Sequence, residues 1–179
     1  NTYTGTTTVS AGTLIAGRNA PSGSAGAFGN AASAIILGDA ATTANNSSPS
    51  LLTGGAFTVG RAVTVANQAT SGTYTIGGNT DNNSTFSGAV TINQPLSVTQ
   101  VATTGANTLS ITGDITTGNA GTKNLTFNNA GAVTVSTTAI TPGTGNIAVV
   151  KQNSGTLTMN VANTYTGGST LTAGILELK

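Results

Sequence analysis

The chain has 179 residues, 25 of them Gly, with no Cys, no His, no Trp and a formal net charge of +1. Without His and Cys it lacks the commonest general base, the commonest metal ligands and the thiol nucleophile, and no disulfide can staple it. The five cations Arg18, Arg61, Lys123, Lys151 and Lys179 are scattered, so no basic patch for nucleic acid forms, and no apolar run reaches the ~18 residues of a membrane span.

Abundant Thr and Gly favour many short strands over helices. The chain opens with Asn1-Thr2-Tyr3-Thr4-Gly5-Thr6-Thr7-Thr8-Val9-Ser10-Ala11-Gly12-Thr13-Leu14. From Arg18 to Ser50 it is irregular: Ala20-Pro21-Ser22-Gly23-Ser24 and Asn45-Asn46-Ser47-Ser48-Pro49 read as loops around one or two strands, one of them at Ile35-Ile36-Leu37. An apolar, hydroxyl, apolar triplet then recurs at Phe57-Thr58-Val59, Val63-Thr64-Val65, Tyr74-Thr75-Ile76, Val90-Thr91-Ile92, Leu96-Ser97-Val98, Leu109-Ser110-Ile111, Leu125-Thr126-Phe127, Val133-Thr134-Val135 and Leu157-Thr158-Met159. Period two puts the apolar pair on a dry face and the hydroxyl on a wet one. Near the end the opening segment returns as Asn163-Thr164-Tyr165-Thr166-Gly167-Gly168-Ser169-Thr170-Leu171-Thr172-Ala173-Gly174-Ile175-Leu176, matching at about nine of fourteen positions and offset by about 162 residues. Residues 1–179 therefore read as one segment, about one period of a longer tandem array.

The turns choose among all-β folds. Hairpin folds lean on Asn-Gly or Asp-Gly, and the chain contains neither dipeptide. Parallel stacking in a β-solenoid is favoured, because stacked Thr tolerates its own kind and stacked charges do not; charged residues are only 5% of the chain. Asn67, Asn93, Asn128 and Asn160 each follow a strand, where Asn suits a coil corner. Coils of about 25 residues would give about seven coils and a rod roughly 35 Å long.

The segment Asn163 to Leu176, and its copy at Asn1 to Leu14, resemble the autotransporter-associated β-strand repeat, also called the passenger-associated transport repeat, of Gram-negative secreted proteins. Ser84-Thr85-Phe86-Ser87-Gly88-Ala89-Val90-Thr91-Ile92 is similar in a degenerate form. The resemblance covers about a fifth of the chain. It implies a right-handed parallel β-helix, an extracellular or outer-membrane-surface location after passage through a barrel, and repeat residues Asn1, Thr2, Tyr3, Thr4, Gly5, Ala11, Gly12 and Leu14 with Asn163, Thr164, Tyr165, Thr166, Gly167, Ala173, Gly174 and Leu176. Tyr3 and Tyr165 would pack as aromatic anchors that nucleate coil stacking.

The carboxylates are Asp39, Asp81, Asp114 and Glu177. A serine activated by lysine is outweighed by the abundance of turn Ser. Asp81 and Asp114 lie about 33 positions apart, near one large coil, so a paired-carboxylate glycan-cleaving site is a second enzyme reading; their turn-like settings favour capping instead. Gly77-Gly78-Asn79-Thr80-Asp81 resembles a calcium nonapeptide but occurs once, too few oxygens for a site. No cofactor and no catalysis are expected. The function expected is a structural passenger or stalk segment whose partners are neighbouring repeats of the same chain; the alternative is an adhesin or self-assembling fibre that binds itself or a cell-surface glycan.

Overall fold

The computed structural model describes residues 1–137 and 139–179. In eight of the nine apolar, hydroxyl, apolar triplets a short strand forms and buries both apolar ends; at Phe57-Thr58-Val59 only Thr58–Val59 is strand and Phe57 stays half-buried. Three strands complete each full coil. The first coil carries β1 (Thr7–Val9) and β2 (Thr13–Ala16), and Ala20 bridges in parallel to Val59. The second carries β3 (Ile35–Leu37), a five-residue helix α1 (Ala40–Ala44), β4 (Ser50–Thr53) and β5 (Thr58–Val59). Then follow β6 (Val63–Val65), β7 (Tyr74–Gly78) and β8 (Ser84–Phe86); β9 (Val90–Ile92), β10 (Leu96–Gln100) and β11 (Thr108–Ile111); and β12 (Ile115–Thr117), β13 (Thr122–Asn128) and β14 (Ala132–Val135). The sixth coil has Ile140 bridged to Ile115, β15 (Asn146–Gln152) and β16 (Thr156–Met159), and the chain closes with β17 (Ser169–Leu171) and β18 (Ile175–Leu178).

These strands stack into three parallel sheets: β1-β3-β6-β9-β12, then β2-β4-β7-β10-β13-β15-β17, then β5-β8-β11-β14-β16-β18. The molecule is an all-β parallel β-solenoid of about six turns, one fewer than the about seven coils expected from sequence, because two corners are enlarged. At strand spacing the stack rises roughly 29 Å.

Register explains the core. One inward column runs Leu51, Ile76, Val98, Phe127; another Ile35, Val63, Val90, Ile115; a third Val59, Phe86, Ile111, Val135, Met159; all are buried. Each such side chain contributes about 1.5–3 kcal/mol by leaving water. The intervening hydroxyls form outward ladders, of which Thr58, Thr85, Ser110, Thr134 and Thr158 on the third sheet is the most complete.

The Asn corners divide. Asn67 and Asn93 do lie at the same corner of successive coils: Asn93 Nδ2 donates to Val65 O (3.0 Å), and Gln94 Nε2 to Asn67 Oδ1 (3.1 Å). Asn119, absent from the sequence-based set, extends this ladder by donating to Asn93 O (3.1 Å). Asn128 ends β13 on the second sheet and Asn160 follows β16 on the third, so they belong to different corners.

The irregular stretch contains a short helix that strand periodicity does not indicate. Asp39 caps α1 through a capping box with Thr42, whose buried hydroxyl reaches Ser10 O (2.6 Å) in the coil beneath. The second enlargement, residues 21–34, is fixed by Arg61 of the following coil, which is fully buried. Its guanidinium donates to Ser33 O (2.9 and 2.7 Å), Phe28 O (2.5 Å), Ser33 Oγ (3.2 Å) and Thr7 Oγ1 (3.2 Å), so the scattered cation of the sequence is an internal clamp.

Candidate functional site

The two motif copies share one local shape. Each is an approach segment, a strand, a tight turn and a second strand: Asn1–Gly5 leads into β1 and β2, and Asn163–Gly167 into β17 and β18. Tyr3 Oη shares a hydrogen bond with Thr7 Oγ1 (3.0 Å), and Tyr165 Oη with Ser169 Oγ (2.6 Å), the same four-residue step. Gly12 (φ 71°) and Gly174 (φ 77°) both turn the chain through the left-handed region, which an L side chain enters at a cost. Ala11 and Ala173 precede them, and Leu14 and Leu176 are half-buried against the core.

The copies differ in what lies beneath. Asn163 Oδ1 accepts from Ile140 N (2.8 Å), Asn163 Nδ2 donates to Val161 O (2.7 Å), Thr164 N donates to Ile140 O (3.1 Å), and Thr166 Oγ1 donates to Asn146 Oδ1 (2.8 Å). Gly167 N donates to Ile147 O (2.9 Å), and a Cβ there would collide with that carbonyl. In the first copy Asn1 Nδ2 donates to Ala27 O (2.7 Å) and Asn30 N to Tyr3 O (2.9 Å), both in the 21–34 enlargement, while Thr2 and Thr4 are exposed and Gly5 has open space around it. Tyr3 is 45% exposed and Tyr165 half-buried, so packing against the core is a property of Tyr165 alone.

Sequence offers no hint of the next difference. The first copy spans the corner from the first sheet to the second, because β1 and β2 lie in those sheets; the second copy spans the corner from the second sheet to the third. An offset of about 162 residues thus equals six turns plus one face.

The second copy is locked by Lys151. It occupies the inward column of the second sheet, between Phe127 and Leu171, and is fully buried. Its Nζ turns into the corner and donates to Gln152 O (2.5 Å), Asn153 O (2.8 Å) and Ala173 O (3.5 Å), tying the motif turn to the coil beneath. Burial holds its ammonium below the ordinary lysine value.

Of the two carboxylates that the sequence spacing singles out, Asp81 is placed as a cap. Asp81 sits between β7 and β8; its Oδ2 accepts from Thr104 N (2.9 Å) and Thr104 Oγ1, and its Oδ1 from Asn107 Nδ2 (3.2 Å). These bonds hold its carboxyl below the usual range. Asp114 sits between β11 and β12, at a different corner, with its side chain exposed. The spacing of one coil therefore does not bring the two carboxylates together, because unequal corners carry them to different edges of the solenoid. Among the described residues no group of three or more His, Cys, Asp or Glu could hold a metal ion.

No curated protein and no solved structure matches the chain. The family model of the passenger-associated-transport-repeat matches residues 1–16 and 149–178, which contain both motif copies with Lys151 and the corner it ties. The chain carries passenger-associated transport repeats at both ends of a parallel β-solenoid, an organisation consistent with an autotransporter passenger segment.

Proposed function

We propose that this chain is a stalk segment of an exported surface protein, non-catalytic, whose coils fold one upon another and thereby help draw and hold the chain outside the cell. The observation that carries this reading is the pair of motif arcs, which keep the same tyrosine bond and left-handed glycine on different faces of the solenoid. An arc specified by its own residues forms as soon as its strand pair is free, and the coil beneath then supplies its edge. Each new coil contacts its neighbours and buries its inward side chains against them, so folding advances in steps without an external energy source. Right-handed winding, the sense favoured by parallel crossovers, is part of the proposal. Zero Cys suits export in an unfolded state, since no early disulfide can close a loop.

The test is Tyr165→Asp in the full-length protein, read by protease accessibility at the cell surface over time. It breaks the bond to Ser169 and sets a charge against the core. Slower surface appearance, with total expression unchanged, is expected; an unchanged rate would refute the nucleating role of the arc.

A further inference from the structure

We propose that the outer side of the second sheet carries a binding groove for an uncharged, hydroxyl-rich polysaccharide. A groove of about 290 Å³ crosses four successive coils there, entering beside Thr70, passing Gln94 and the hydroxyls of Ser97 and Thr126, and ending at Asn128 and Gln152. The long corner at residues 66–73, beside the short one at residues 93–95, makes the step that forms its wall.

Two observations identify the ligand class. The first is that its terminal amides are free. Several Asn side chains of the coil corners hold main chain instead: Asn93, Asn107, Asn119 and Asn129 all donate to backbone carbonyls. Asn128 and Gln152 stand in register on adjacent strands, both are exposed, and neither side-chain amide is bonded to any group among the described residues. Each presents a donor and an acceptor together, and neighbouring strands repeat them at about 4.8 Å, a geometry suited to successive hydroxyl pairs along an extended sugar chain. The second is charge: no Lys, Arg, Asp or Glu lines the groove, so an acidic glycan would lose water around its carboxylates without gaining a partner.

The one aromatic residue at the groove, Tyr74, is buried with its hydroxyl bonded to Gln68 O (2.7 Å), so it provides no exposed stacking platform. Hydrogen bonds alone hold a single sugar weakly, and several groups contacted by one polymer restore retention. The proposal concerns a ligand site and does not rest on the stalk reading, since it is read from binding by the folded segment and the other from surface appearance.

The experiment is affinity electrophoresis and pull-down of the 179-residue segment with neutral polymers (dextran, mannan, amorphous cellulose), with alginate as the acidic arm. Retention by at least one neutral polymer is expected, weakened about tenfold or more by Asn128→Ala with Gln152→Ala. Ser97→Arg, which fills the groove floor, should do the same, and Thr134→Ala on the third sheet should change nothing. Circular dichroism checks that each variant keeps its β-structure. Absence of retention on every neutral polymer, retention on alginate alone, or equal retention by the groove variants would overturn the proposal.

Discussion

Replacing Phe127 by Ala tests whether stability in this molecule is local. Phe127 lies in β13 at the middle of an inward column, with Val98 on the strand to one side and Lys151 on the strand to the other, and it is fully buried. Truncation removes a ring and leaves a cavity that short strands cannot close without losing register, a cost of about 3–5 kcal/mol. Because each coil touches only its neighbours, that cost should appear in the opening of β10, β13 and β15. There amide exchange should accelerate roughly 10²- to nearly 10⁴-fold, the change in opening equilibrium that such an energy implies. The strands β3, β4 and β6, two or more coils away, should keep their protection. Hydrogen exchange read peptide by peptide by mass spectrometry reports both regions in one experiment. An equal loss across β3 to β15 would show a single cooperative core and refute the nearest-neighbour reasoning on which the stepwise folding proposal stands.

Other perturbations separate the contributions at the motif and its corners. Gly174→Val should destabilise the last coil by more than about 1–2 kcal/mol, since its φ of 77° is joined by contact of the new Cβ with Asn153 O and Gly155 O, whereas Gly12→Ala, at φ 71° in open space, should cost only the backbone term; thermal melts compare the two. Asp81 and Asp39 both have carboxyls held below their ordinary value of 3.8, so their contribution is fully present above about pH 4 and is lost as pH falls through the lowered folded values; melts from pH 2 to 7 should show this slope, diminished in Asp81→Asn. Lys151 has its folded value lowered from 10.5, so the unfolded chain binds more protons in the window below 10.5, and the wild type should gain stability relative to Lys151→Met as pH rises through that window. Replacing Asp81 and Asp114 together by Asn should leave binding to any neutral polysaccharide unchanged, because neither lines the groove; a measurable loss would return the carboxylates to a functional role.

The strands were legible because period two is a local signal: Val63-Thr64-Val65, Val90-Thr91-Ile92 and Leu125-Thr126-Phe127 all bury the ends and leave the central hydroxyl half-buried on the outer face. β15 was not, because its inward positions Ile147, Val149 and Lys151 end on a cation while Ala148 and Val150 face outward, so the alternation is hidden at the level of residue type. The helix α1 depends on a cap at Asp39 and an anchor from Thr42 to the coil beneath, a tertiary contact that helix propensity does not contain. Arg61 reads in the sequence only as one of five scattered cations, since its carbonyl partners lie about 28 to 33 positions away and carry no charge of their own. The groove was illegible for a related reason: Thr70, Ser97, Asn128 and Gln152 meet only through the stacking register.

The displacement of the motif by one face bears on what its residues are selected to do. If the shared residues served to build a ladder, copies would have to fall on the same face, where like side chains stack across strands. They do not, and the contacts that depend on the coil beneath differ accordingly: Asn163, Thr166 and Gly167 meet Ile140, Asn146 and Ile147, while Asn1 meets the 21–34 enlargement and Gly5 meets nothing. What remains common is what the segment can specify alone, a tyrosine hydroxyl reaching four residues on, a glycine that reverses the strand through the left-handed region, and a leucine that turns toward the core. A unit of that kind closes a corner wherever the winding happens to present it. The identical residues therefore encode an arc, and the third of a turn between copies lets one short code serve different edges of the same rod.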